Sequence, residues 1–186
     1  MTSFFDITST LPWPNAIGKR TAVGPLVGAA ESEAISELAR TTPLILVITA
    51  TTAAAHNLAS ELPFFLSDDR EILLVPDWET LPYDNFSPHE DIVSDRLKAL
   101  SRLPTLKSGV VIVSVTTLMH RLAPRHFVDA GVLSLKTGET LDAEQFVRNL
   151  TRNGYRSVDT VYEHGEFATR GSLLDVFPMG SDEPLR

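Results

Sequence analysis

The chain has 186 residues, and 24 acidic against 16 basic side chains give it a formal net charge of −8. It contains no cysteine, which excludes a disulfide scaffold, a zinc site built on thiolates and a cysteine nucleophile. Its apolar runs are far shorter than a membrane span, and its N-terminus has no signal-peptide pattern. We therefore expect a cytoplasmic protein that does not enter a membrane.

Residues 1–24 contain several prolines and glycines and little periodicity, which predicts an irregular N-terminal arm. From residue 25 to residue 128, apolar runs of strand length alternate with helical patterns. The predicted helices are 30–40, 53–62, 88–102 and 116–121, and the predicted strands are 44–49, 71–75 and 110–113. This alternation predicts an α/β domain whose parallel strands are covered on both faces.

The segment just before the first predicted helix lies where a nucleotide-binding domain would carry its phosphate loop, G-x-x-x-x-G-K-[ST]. Only Gly28 and Ser32 match this pattern, while Pro25 and Ala30 replace the two glycines and Glu31 replaces the lysine. A carboxylate at the lysine position repels a triphosphate. The segment is either a degenerate phosphate loop or an unrelated helix start, and in both cases we expect no ATP binding.

The most acidic part of the chain lies between residues 68 and 95. Its nine acidic residues and one arginine amount to the whole net charge of the chain. The loop within it carries Trp78, Tyr83 and Phe86, which we expect to pack on the sheet, since the surrounding acids repel a phosphate backbone. Ser87 and Glu90 form a capping-box pattern, which predicts that the following helix begins at Pro88.

The pattern changes after residue 128. Residues 132–136 are a predicted strand, residues 142–151 a helix, and residues 158–162, 166–168 and 173–177 three short strands separated by turn-forming pairs. This order predicts a small α+β domain with antiparallel strands over residues 129–186. Arg170 lies in the turn between the last two strands, where its planar guanidinium could grip a carboxylate of a partner.

Other polar groups give no catalytic or metal-binding pattern. His89 is not followed by a second histidine at the spacing of a zinc-binding helix, and the pair His164 and Glu166 lacks the cysteine ligands of a deaminase. We therefore predict no catalytic residue, no metal and no cofactor.

Three long segments of the sequence resemble one family. Residues 76–89 read PDWETLPYDNFSPH, residues 163–171 read EHGEFATRG, and residues 174–181 read LDVFPMGS. Together with GYR at 154–156, these runs are similar to the N-terminal region of the bacterial transcription-repair coupling factors (Mfd). The resemblance extends from about residue 20 to the end of the chain.

In that family the N-terminal region is similar to the excinuclease subunit UvrB. The resemblance therefore implies a helicase-like first domain with a degenerate phosphate loop (Gly28, Glu31 and Ser32), followed by a small domain that docks the UvrA subunit. It implies that Arg170 and Arg186 contact UvrA. A further aromatic contact of the family lies beyond Arg186, so we expect the second domain to be incomplete at its C-terminus.

The resulting hypothesis is a non-catalytic, UvrA-recruiting module that acts in transcription-coupled nucleotide excision repair. Its expected partners are UvrA and the other domains of a full-length coupling factor, without strong direct DNA binding. Two alternatives remain: a nucleotide-dependent, helicase-like DNA-processing enzyme, and a purely structural module that docks on its own polypeptide.

Overall fold

The computed structural model describes residues 11–14, 16–66, 70–81, 83–131 and 137–186. Its residues form two units, each with its own packing. The first consists of the described residues up to Leu74 together with Leu106–Leu118, and the second of Val75–Thr105 and Met119–Arg186.

Helices and strands alternate in the first unit, as the sequence predicts. The elements are α1 (Ala30–Thr41), β1 (Leu44–Thr49), α2 (Thr52–Phe65), β2 (Glu71–Val75), β3 (Gly109–Ser114) and α4 (Val115–Met119). The strands form one sheet in the order β1-β3-β2, with β1 parallel to β3. The predicted parallel α/β sheet is therefore confirmed. Helix α2 extends past Leu62, where its end was predicted, and contains Pro63 in its last turn.

Only the central strand matches the prediction that strands are covered on both faces. All six residues of β3 are buried, and its Val and Ile side chains suit a strand packed on two sides. In contrast, β1 is an edge strand of the described sheet, and its side chains at Leu44, Leu46 and Ile48 are about half exposed. Its other face contributes Ile45 to a core with Leu58, Leu62 and Val110.

The described residues of the second unit form three α-helices and a second sheet. Its helices are α3 (Glu90–Arg102), α5 (Arg125–Gly131) and α6 (Ala143–Arg152), and its strands are β4 (Arg156–Ser157), β5 (Glu166–Arg170) and β6 (Leu173–Val176). The sheet order is β4-β5-β6. The predicted antiparallel pairing holds for β5 with β6, but β4 runs parallel to β5, and residues 158–162 are not a strand. The predicted strand 132–136 lies outside the described residues.

Helix α6 supplies the core beneath this sheet. Its Phe146 and Leu150, four residues apart and so on one helix face, pack with Phe167 of β5 and Val176 of β6. Asp142 caps the helix by accepting a 2.9 Å hydrogen bond from the backbone N–H of Gln145. This packing fixes β5 and β6, the strands that carry or adjoin the two arginines predicted from the sequence.

Helix α3 belongs to the second unit. Its N-cap is His89, whose Nδ1 accepts from the Asp91 backbone N–H at 3.3 Å, so the predicted capping box of Ser87 and Glu90 is wrong. Lys98 pairs with Asp182 at 2.7 Å, which links this helix to the segment after β6. The compact units thus divide the chain differently from the predicted domains 25–128 and 129–186, and that boundary stays a prediction.

Glu166, the first residue of β5, organises the loop that precedes it. One of its carboxylate oxygens accepts hydrogen bonds from the backbone N–H groups of Tyr162 at 2.9 Å and Glu163 at 3.0 Å. These two hydrogen bonds, with a smaller contribution from the charge of Arg156, lower the pKa of the Glu166 carboxyl although its burial opposes the shift.

No helix among the described residues combines the length and the apolar character that crossing a membrane requires.

A side chain at Gly109 is expected to disrupt the first unit. Gly109 has φ of +150°, and a Cβ there would lie 2.3 Å from the backbone oxygen of Glu71, which cannot rotate away. We expect Gly109→Ala to lower the free energy of unfolding by about 3 kcal/mol or more, measured by urea denaturation. Gly28→Ala is the control, because Gly28 also has a positive φ but open space around it, and it should cost about 1–2 kcal/mol. Equal losses in the two variants would contradict the close approach.

The carboxylate of Glu166 is expected to stabilise the second unit in a pH-dependent way. Because its pKa is lowered in the folded state, its contribution is present above the ordinary carboxyl pKa and is lost as the pH falls through the folded value. Glu166→Gln should therefore cost about 1–2 kcal/mol at pH 7 in urea denaturation, and the difference from wild type should shrink below pH ~4. Glu144→Gln is the matched control, since its exposed pair with Arg148 should contribute below about 0.5 kcal/mol. A difference that does not change with pH would disprove this role.

Candidate protein-binding site

The register of β5 and β6 determines which side chains lie on the face opposite the core. Phe167 pairs with Val176, and both point into the core beneath the sheet. Since successive side chains alternate between faces, Arg170 of β5 and Asp175 of β6 lie on the other face. Leu185 bridges to Val176 in antiparallel fashion, so Arg186 lies opposite Asp175 on that same face. We call Arg170, Asp175 and Arg186 the arginine cluster.

Arg170 is exposed, and the loop before β5 holds its guanidinium. Its Nη2 donates to the backbone oxygen of Asp159 at 2.5 Å and to the hydroxyl of Thr160 at 3.0 Å. The loop is in turn held by Glu166. The sequence predicts an arginine at the turn, and the structure places it at the end of β5 with a defined orientation.

Arg186 forms a two-pronged ion pair with Asp175. Its Nε donates to Oδ1 at 2.6 Å and its Nη2 to Oδ2 at 2.9 Å, the side-on geometry that suits a planar guanidinium. This hydrogen bonding, together with the charges of Arg186 and Arg170, lowers the pKa of the Asp175 carboxyl. The same pair raises the pKa of Arg186. Both guanidinium groups therefore act on one carboxylate.

The arginine cluster is suited to receive acidic groups of a partner. Each guanidinium carries five N–H donors, and the described hydrogen bonds occupy two of them on each arginine. Most of the donors thus remain available. The arginine cluster itself holds two cations and one anion, so its formal charge is positive although the chain as a whole is acidic.

Asp175 is the residue of the cluster that the sequence analysis missed. The signal was present in the two-residue turn of Gly171 and Ser172, which fixes the antiparallel register and sets Asp175 opposite Ala168. What could not be read from the pattern is the contact with Arg186, because that depends on Leu185 returning to the sheet edge.

A buried arginine in α3 contacts the loop that carries Trp78, and the sequence analysis did not identify this arginine. The guanidinium of Arg96 stacks on the ring of Trp78 at 4.2 Å and donates to the backbone oxygen of Pro76. Tyr83 and Phe86 are 96% and 70% exposed, so the prediction that they pack on the sheet is wrong. Only Trp78 is packed, in contact with Arg96.

The segment predicted to replace a phosphate loop is not arranged to hold phosphate. Gly28 and Glu31 are exposed, while Ser32 is fully buried and its hydroxyl donates to the carboxylate of Glu61 at 2.8 Å. Among the described residues before α1, no strand leads into this segment, whereas a phosphate loop connects a strand to a helix.

The histidines considered in the sequence analysis have structural contacts. The two ring nitrogens of His164 lie 2.8 Å from the carboxylate of Asp91 and 2.9 Å from the backbone oxygen of Ser181, and the ring packs on Phe177. Across the part of the chain that the structure describes, no group of three or more acidic or histidine side chains could hold a metal ion.

Comparison with known proteins shows what the chain is similar to. Residues 133–186, which contain the whole arginine cluster, match the family described as the UvrB interaction domain. The chain is 44% identical over 174 residues to a transcription-repair-coupling factor of Escherichia coli, covering 93% of this chain and 15% of that protein. It is 44% identical to the factor of Haemophilus influenzae, covering 88% and 14%, and 39% identical to that of Mycobacterium bovis, covering 81% and 12%.

The chain thus spans about a seventh of the length of the curated relatives that it matches. The similarity runs through both compact units, since it covers nearly all of this chain. The resemblance found in the sequence is confirmed: over 93% of its length, the chain is similar to a part of the transcription-repair coupling factors.

Proposed function

We propose that this chain is a non-catalytic module of a transcription-repair coupling factor, and that it recruits the UvrA subunit of the excinuclease to transcription-coupled nucleotide excision repair. The observation that carries the proposal is the placement of Arg170 and Arg186, both exposed, on the same face of the second sheet. Both lie in the segment that matches the UvrB interaction domain. Their available donors suit acidic groups on UvrA.

The second class of partner is the remainder of the polypeptide. The exposed face of β1 presents Leu44, Leu46 and Ile48, and exposed apolar stripes of this kind mark surfaces that another element covers. Because the relative from Escherichia coli is about six times as long as this chain, we propose that further domains of the same polypeptide cover that face. Such a contact also agrees with the alternative of a structural module that docks on its own polypeptide.

Direct DNA binding is not part of the proposed function. The loop that carries exposed Tyr83 and Phe86 also carries Glu79 and Asp84, and α3 begins with two acidic residues. Bases can stack on aromatic rings, but these carboxylates repel the phosphates that supply most of the affinity for nucleic acid. We expect this surface to exclude DNA.

The alternative of a nucleotide-dependent enzyme has less support. Ser32 is fully buried, so its hydroxyl is not accessible to a magnesium ion, and Glu31 places a negative charge where a lysine would neutralise phosphate. We therefore propose that the segment around Gly28 binds no nucleotide, whether it is a degenerate phosphate loop or an unrelated helix start.

Replacing Arg170 is expected to weaken UvrA binding strongly. Truncating one partner of a desolvated charge pair costs about 2 kcal/mol or more, so Arg170→Ala should raise the dissociation constant at least about 30-fold in calorimetry or surface plasmon resonance. Arg148→Ala is the control, because it removes the same charge from the exposed face of α6 and should leave binding unchanged. Circular dichroism and urea unfolding should show both variants folded. Unchanged binding by folded Arg170→Ala would exclude Arg170 from the interface.

The chain is expected not to bind ATP. Titration of the chain with ATP and Mg²⁺ in a calorimeter should give no saturable heat up to millimolar nucleotide, because both phosphate-holding positions are unsuitable. Saturable binding that Ser32→Ala abolishes would contradict this expectation and favour the enzyme alternative.

A further inference from the structure

Asp175 occupies a position between the two arginines that the proposed UvrA contact uses. It faces Arg186 across the edge of the sheet and lies within the electrostatic reach of Arg170. A carboxylate at this position could compete with the acidic groups of a partner, or it could hold the arginines in the geometry that the partner requires. The contacts discriminate between these two roles.

The burial of Asp175 favours a lasting pair. Its side chain is only 17% exposed, whereas that of Arg186 is 63% exposed. Moving Arg186 onto an acid of the partner would leave a largely buried carboxylate without its main hydrogen-bond donor, and such an unpaired group is costly. The pair is therefore expected to persist in a complex rather than to exchange.

The geometry of the pair also leaves the outer edge of the guanidinium open. Asp175 receives the Nε and one Nη2 hydrogen, so Nη1 and the second Nη2 hydrogen are available to another carboxylate. Asp175 itself is fixed because its backbone is part of the β5–β6 ladder, opposite Ala168. A rigid strand thus orients a long side chain that otherwise samples many rotamers.

We propose that Asp175 is a positioning residue of the UvrA-binding site, which orients Arg186 before the partner arrives. This inference rests on the proposed function, since it assumes that Arg186 meets an acidic group of UvrA. Ordering one long side chain on binding has an entropic cost, so prior orientation should strengthen binding by roughly three- to tenfold. Removing the negative charge alone acts in the opposite direction, because it makes the face more positive toward an acidic partner.

The test compares UvrA binding by the wild-type chain with that of Asp175→Asn, Arg186→Ala and the double variant. We expect Asp175→Asn to raise the dissociation constant about three- to tenfold, and to have no further effect when Arg186 is already alanine. Unchanged or tighter binding by Asp175→Asn would overturn the proposal. If Arg186→Ala and Arg170→Ala both bind normally, the proposed function itself fails, so the two failures are distinguishable.

A spectroscopic measurement reports the orientation without UvrA. In ¹⁵N NMR, the Nε–H of Arg186 should exchange slowly with water in the wild type and rapidly in Asp175→Asn. Asp175→Glu, which keeps the carboxylate, should restore part of the protection and part of the affinity. Rapid exchange in the wild type would show that the ion pair does not hold the side chain, and would also overturn the proposal.

A charge-swapped variant keeps the proposal testable if Asp175→Asn does not fold. Asp175→Arg combined with Arg186→Asp retains an ion pair between the same two positions but moves the guanidinium to the neighbouring strand. We expect this variant to unfold at the urea concentration of the wild type and to bind UvrA as weakly as Arg186→Ala. Wild-type affinity in the swapped chain would indicate that only the presence of the pair matters, and would reject a positioning role.

Discussion

The antiparallel register of β5 and β6 is the constraint on which the candidate site depends. It pairs Phe167 with Val176 toward the core and sets Asp175 and Arg170 on the opposite face. Because side chains alternate strictly along a strand, a slip of one residue would bury the charged set and expose the apolar set. The left-handed conformation of Gly171 in the turn, with φ of +63°, helps to keep this register.

The elements around this hairpin serve to hold the arginine cluster still. Helix α6 fills the core side of the sheet, and Glu166 fixes the loop whose Asp159 and Thr160 accept from Arg170. The cluster is positive in a chain whose negative charge is concentrated elsewhere, between residues 68 and 95. Net charge therefore describes the behaviour of the whole chain toward nucleic acid but says little about a protein partner of this face.

Local sequence patterns predicted most of the elements but not which of their faces are covered. The apolar run of β1 has the composition of a buried strand, yet Leu46 and Ile48 are exposed because the described residues cover only the other face of this strand. The run of β3 has the same character, and all six of its residues are buried. Strand order is a property of long-range pairing, and no short window of sequence contains it.

The sequence by itself determined the α/β alternation of the first unit, the helix and hairpin of the second, and the resemblance to the coupling factors. These follow from local periodicity, turn chemistry and residue identity. Only the tertiary structure decided that the guanidinium of Arg96 stacks on Trp78, and that Asp175 forms an ion pair with Arg186. Both contacts join residues on different elements, so they exist only after the chain has folded those elements against each other.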